Sequence, residues 1–311
     1  MASMSCLPPG PHRLRAGPLL SCLAFAHAAC AQPTPAEAPA ERPALPQVTV
    51  EAQRAVLEHQ LYEYVTMITH TQSRDEALHR WHTPVCPAVV GLSKDEGEFI
   101  LTRLSQIARA AEAPLDGERC QANLAVVFTN DPDGLIKAWG ARRSHFGGVH
   151  GTPAAFERFS AKRGPVRVWY NKDFGSPASG PMLTDSLELG KRFPNTPTGP
   201  NLAGSKMFVK DVLVFSSVAV IVDTRQAVGL EIGALTDYIA MLALSDTDPE
   251  VPLGPAPTIL RLFTARAAKQ PLPSGLSDWD RAFLKALYGT PLDLITQRSI
   301  IAGKMVQDVA P

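Results

Sequence analysis

Cysteine is scarce: five residues among 311, three of them (Cys6, Cys22, Cys30) inside the first thirty positions. Clustered positive charge is also missing. Thirty Lys and Arg stand against thirty Asp and Glu, and no basic run is longer than Arg142-Arg143. A phosphate-tracking nucleic-acid surface is therefore unsupported, as is a polybasic membrane patch. No long apolar run occurs beyond the N-terminus. Nor do the phosphate-cradling patterns Gly-x-Gly-x-x-Gly and Gly-x-x-x-x-Gly-Lys-Ser/Thr, the Gly-x-Ser-x-Gly elbow or Ser-x-x-Lys appear. Dinucleotide binding, P-loop chemistry and serine hydrolysis have no local signature here.

The N-terminus is an address. His12, Arg13 and Arg15 precede an apolar stretch over 16–31, which ends Ala29-Cys30-Ala31 before Gln32. A basic segment, an apolar segment and a small-x-small site describe a secretory signal peptide, residues 1–31. The run is too short for a spanning helix, which needs about 20 apolar residues. Residues 19–22, ending at Cys22, loosely resemble a lipoprotein motif, but the apolar run before them is short. Cleavage after Ala31 leaves 28 basic against 30 acidic residues, a net charge of −2, and leaves Cys86 and Cys120 as the sole cysteines. An even pair in an exported chain reads as one disulfide. The expected location is periplasmic or secreted, with a cell-envelope association as one possible setting.

Residues 32–46 hold five prolines in fifteen positions and read as an extended linker. The remainder, 47–311, is expected to form a single domain, α+β or possibly α/β, a mixed sheet packed with helices. Val48 to Val50 suggest a short strand; 51–68 carry apolar residues at helical spacing. A short helix is expected over 74–81. Ser93 followed by Glu96 is a capping box opening another helix. Residues 124–128 form an apolar strand stopped by a turn at 130–134, and a helix is expected over 135–143. Thr152-Pro153 opens a helix, and 166–170 alternate as a strand. Residues 173–205, rich in Pro and Gly, read as a long irregular loop. Residues 212–215 and 218–222 suggest a hairpin, and a strongly apolar helix is expected over 232–244.

That helix is followed by Pro257 to Leu260 and then by 276–289, which begins Leu276-Ser277, carries Asp280 and ends Leu287-Tyr288-Gly289. This order resembles the C-terminal half of matrixin-type metzincins: active-site helix, Met-turn and closing helix. The resemblance covers about 229–289 and implies a zincin-like half. In that pattern two histidines four apart and a third ligand six residues on hold zinc, beside a glutamate base. Here Thr236 and Ala240 occupy the first two histidine positions and Asp237 the glutamate. Ala243 takes the glycine, Asp246 the third ligand and Leu260 the Met-turn methionine. Alanine has no donor atom and threonine is a poor zinc ligand. The resemblance therefore implies a retained scaffold without zinc chemistry, no metal site and no cofactor.

Other constellations are weaker. Asp131, Asp133 and Asp223 follow strands, where carboxylates can do acid–base work, yet tight turns and caps want the same residues. The Gly-rich stretch with Arg143, His145, Gly147, Gly148 and His150 is the first choice for a small-molecule or glycan site. His79, His82 and Cys86 offer donors, but Cys86 is claimed by the disulfide. The acidic run 245–250 lacks EF-hand spacing. Asp237 is readable as a charge favoured near a helix N-terminus. The leading reading is an exported non-catalytic binding or envelope-associated protein. A hydrolase built on Asp131, Asp223, His145 or His150 is one alternative, and a purely structural envelope protein another.

Overall fold

The computed structural model describes residues 46–69, 78–142, 151–176, 180–181, 212–292 and 296–310. The signal peptide, nearly all of the linker, and the Arg143–His150 loop lie outside the described residues. All described residues belong to one compact unit, Leu45–Pro311. Among them no helix is long and apolar enough to cross a membrane.

The architecture is α+β. In chain order the elements are α1 (Pro46–Ile68), β1 (Pro87–Val90), α2 (Lys94–Ala110), β2 (Leu124–Thr129), α3 (Pro132–Arg142), α4 (Pro153–Ala161), β3 (Val166–Ser176), β4 (Gly180–Pro181), β5 (Val212–Asp223), α5 (Thr224–Ala227), α6 (Ile232–Leu244), a 3-10 turn (Ile259–Arg261), α7 (Leu262–Ala267), α8 (Asp278–Tyr288) and α9 (Gln297–Val309). The sheet order is β1-β2-β5-β3-β4. β1, β2 and β5 are mutually parallel; β3 runs antiparallel to both β5 and β4.

Alternation along β5 sorts its side chains between two layers. Val218, Val220 and Val222 enter the main core with α1, α2, α6 and α8, whereas Ile221 joins Ile136, Phe159 and Trp169 under α3 and α4. Ser93 and Glu96 form the expected capping box of α2, and Thr152 caps α4. Between β1 and α2 the chain turns at Gly91, whose φ is +90°. A Cβ there would meet the Phe128 carbonyl oxygen at 2.0 Å, so glycine is required.

Several expectations are corrected. Val48–Val50 is the beginning of α1, not a strand. Of the short helix expected at 74–81, the described residues 78–81 are extended: Trp81 bridges Phe215, and Phe215 N–H donates to Arg80 O at 3.0 Å. The expected turn at 130–134 is instead the start of α3, because Asp131 accepts from Gly134 N–H at 2.9 Å and caps the helix. The hairpin over 212–222 is one continuous strand. Ser216-Ser217 carries no Gly, Pro, Asn or Asp to reverse the chain, and the irregularity is absorbed by a register shift opposite, at Asn171/Lys172. The segment expected to be irregular from 173 begins as strand, β3 running to Ser176 and pairing with β4; 182–205 lie outside the described residues.

Candidate functional site

α6 sits where the sequence places it, deep in the core, with Ala234 to Leu244 buried throughout. Thr236 and Ala240 are each 0% exposed, and the Thr236 hydroxyl donates to Ile232 O at 2.6 Å. The two positions matching zinc-binding histidines are thus packed into the apolar interior. Ala243 and Leu260 are equally buried.

The carboxylates of this region belong to two different ion-pair networks. Asp237 accepts from Arg103 of α2 through Nε at Oδ1 and through Nη2 at Oδ2 (2.8 Å). Its Oδ2 also takes Leu276 N–H at 2.8 Å. The side chain is 2% exposed and that of Arg103 38%. The hydrogen bond it donates to Asp237 holds the Arg103 guanidinium above its usual range. This corrects the helix-terminus explanation of Asp237: its charge is met by a side chain 134 residues away. Gly275 is needed beside it, since a Cβ there would stand 2.6 Å from Oδ2.

Asp246 lies at the other end of α6. Its Oδ2 contacts His79 Nδ1 at 2.7 Å and accepts from Lys172 Nζ. Burial pushes this carboxyl up, but the His79 hydrogen bond and the Lys172 charge outweigh it, so the group sits below the usual carboxylate range. Tyr170 completes the wall, donating to Leu242 O at 2.9 Å and stacked on Phe215. Burial raises its phenol well above normal.

A third carboxylate serves architecture. Asp280, 0% exposed, accepts five hydrogen bonds: Tyr64 OH (2.8 Å) and Thr258 Oγ1 (2.6 Å) at Oδ1, and Ile259 N (2.8 Å), Ser277 N (2.8 Å) and Ser277 Oγ (2.9 Å) at Oδ2. It ties α1, the 3-10 turn and α8 together. Tyr288 OH then reaches Leu244 O at 2.7 Å, closing α8 onto the end of α6.

At the strand ends the parallel register sets Thr129 beside Asp223, so Asp131 and Asp223 emerge on one edge. Both are occupied locally. Asp131 caps α3; Asp223 accepts from Arg225 N, Nε and Nη2 and from Gln226 Nε2. The Arg225 contact lowers the Asp223 carboxyl to about 2. Asp133 pairs with Arg167 at 2.7 Å. A carboxylate held so far down is a poor proton acceptor at neutral pH. Arg143, His145, Gly147, Gly148 and His150 lie outside the described residues. Cys86 and Cys120 form the expected disulfide, with Cα atoms 5.9 Å apart. Among the described residues no group of three or more His, Cys, Asp and Glu side chains is gathered to hold a metal ion.

Among the described residues, α2 and α8 line a cleft of about 490 Å³. Ile107, Ala110, Ala282 and Leu284 give it apolar lining; Arg103, Arg281 and Lys285 bring positive charge and Asp237, Asp278 and Asp308 negative charge. Its size falls within the range of small-molecule sites. Nothing in the sequence announces it, because its walls come from helix faces some 180 positions apart (Arg103 to Lys285). The amphipathic spacing of 103, 107 and 110 on α2 was the only available signal. Comparison with protein-family models, curated proteins and solved structures returns no match.

Proposed function

We propose that this chain is an exported, non-catalytic binding domain built on a degenerate metzincin-like core, with its ligand site in the cleft between α2 and α8. The observation that carries this reading is the complete burial of Thr236 and Ala240. A zinc peptidase must present its ligands to solvent and substrate with an open coordination position; here both positions are core. The acid at the glutamate position, Asp237, is consumed by Arg103 and Leu276 N–H and has no geometry for activating water.

Three further observations support kinship. A parallel strand, β5, leads into α6; a turn follows at Ile259–Arg261; and α8 locks that turn through Asp280. The disulfide supports export, since such bonds persist in oxidising compartments. A carboxylate hydrolase at the strand ends is disfavoured by the local capping of Asp131 and Asp223. Elemental analysis of protein purified without chelator tests the proposal. Substoichiometric zinc is expected, and one tightly held zinc per chain would overturn it.

A further inference from the structure

α2 and α8 both line the cleft. Arg103 meets the start of α8 through the Asp237–Leu276 bridge, while Lys285 feels the charge of Glu112 just past the end of α2. Arg103 and the start of α8 thus mark one end of the cleft, and Lys285 and the end of α2 the other. At the first stand Arg103 and Arg281, with the carboxylates Asp237 and Asp278 beside them, and the N-terminal turn of α8, where the helix dipole is positive. At the other stand Asp308 and Lys285, tied together at 2.8 Å, and the C-terminal turn of α2, where the dipole is negative.

The arginine-bearing end is pre-organised. Asp237 engages Nε and Nη2 of Arg103, so the guanidinium is fixed in orientation while its side chain stays 38% exposed at the cleft. The Arg281–Asp278 contact is long, 3.5 Å, between exposed side chains. Exposed pairs of that kind contribute little, so Arg281 can turn to a ligand at small cost. Between the two ends lies the apolar lining of Ile107, Ala110, Ala282 and Leu284.

From this geometry we infer that the cleft binds a zwitterionic amino-acid or short-peptide ligand with an apolar side chain. Its carboxylate lies at Arg103 and Arg281, its ammonium group at Asp308, and its side chain against the alanine and leucine lining. The inference rests on the binding role assigned above and adds the ligand class and orientation.

Titration calorimetry with the dipeptide Leu-Leu tests it, using the intact oxidised chain. N-acetyl-Leu-Leu and Leu-Leu-amide, each lacking one terminal charge, are run beside it. Leu-Leu is expected to bind, each capped analogue about tenfold more weakly, with Arg281→Ala weakening Leu-Leu but not the amide and Asp308→Asn weakening Leu-Leu but not the acetylated form. Absence of Leu-Leu binding at millimolar concentration, or equal affinity for all three peptides, overturns the inference. Mass spectrometry of the same mixtures separates the two claims. Cleavage of the peptide would refute the non-catalytic reading itself, whereas intact peptide without binding would refute only the ligand assignment.

Discussion

Removing one member of the Arg103–Asp237 pair should cost very different amounts depending on which is removed. In Arg103→Ala the Asp237 carboxylate, 2% exposed in the intact pair, loses its cation and keeps only Leu276 N–H. An uncompensated buried charge of this kind costs about 3–5 kcal/mol. In Asp237→Ala the guanidinium is already 38% exposed and can turn to solvent. What remains is the buried Leu276 N–H without its acceptor, costing about 2 kcal/mol. Arg103→Ala should thus exceed Asp237→Ala by about 1–2 kcal/mol, and the double variant should lie close to Asp237→Ala. Urea unfolding under non-reducing conditions, followed by tryptophan fluorescence, measures all three variants. If Asp237→Ala proves the costlier substitution, or neither costs 1 kcal/mol, the pair is not the buried clasp described above.

Asp280→Ala should destabilise by about 4 kcal/mol, since it strands two backbone N–H groups and the Tyr64 and Thr258 hydroxyls. Asp280→Asn should cost only about 1 kcal/mol, because the Tyr64 and Thr258 hydroxyls can reverse to accept from the amide; equal losses in the same urea assay would contradict the hub. Asp223, held near 2, contributes stability that is whole above about pH 5 and disappears as pH falls through 2. Asp246, likewise held low, has the same sign. Arg225 is solvent-exposed, so screening limits the Asp223 share to about 1 kcal/mol. Asp223→Asn should flatten the stability–pH curve between 5 and 2, and an unchanged slope would show that the Arg225 contact contributes nothing.

The parts of this fold that are legible in sequence are those set by local pattern. The apolar period of α6, the caps at Ser93 and Thr152, and the uninterrupted run of β2 all appear where expected. Failures come where tertiary pairing decides. Residues 78–81 carry a helix-compatible composition, yet Trp81 is drawn out by Ala243 O (2.8 Å) and by Phe215. β1, four residues beginning with proline, is too short to stand out against its surroundings. The candidate site is hardly legible at all. Arg103 has no motif, and its meaning depends on Asp237, 134 positions away; Tyr64 and Asp280 are 216 apart. The carboxylates chosen from sequence at 131 and 223 are common capping residues, and that is the work they do.

The Cys86–Cys120 bond encloses all of β1 and α2, from the residue before Pro87 to a point four short of Leu124. Arg103 and its helix are thereby tethered at both ends to the same corner of the sheet. Oxidation of the two thiols therefore joins the ends of the segment that carries one wall of the cleft. With the thiols reduced, α2 would be held by its core side chains and by the Arg103–Asp237 ion pair without that tether. Reduction is thus expected to loosen the α2 wall of the cleft before it loosens the core around α6.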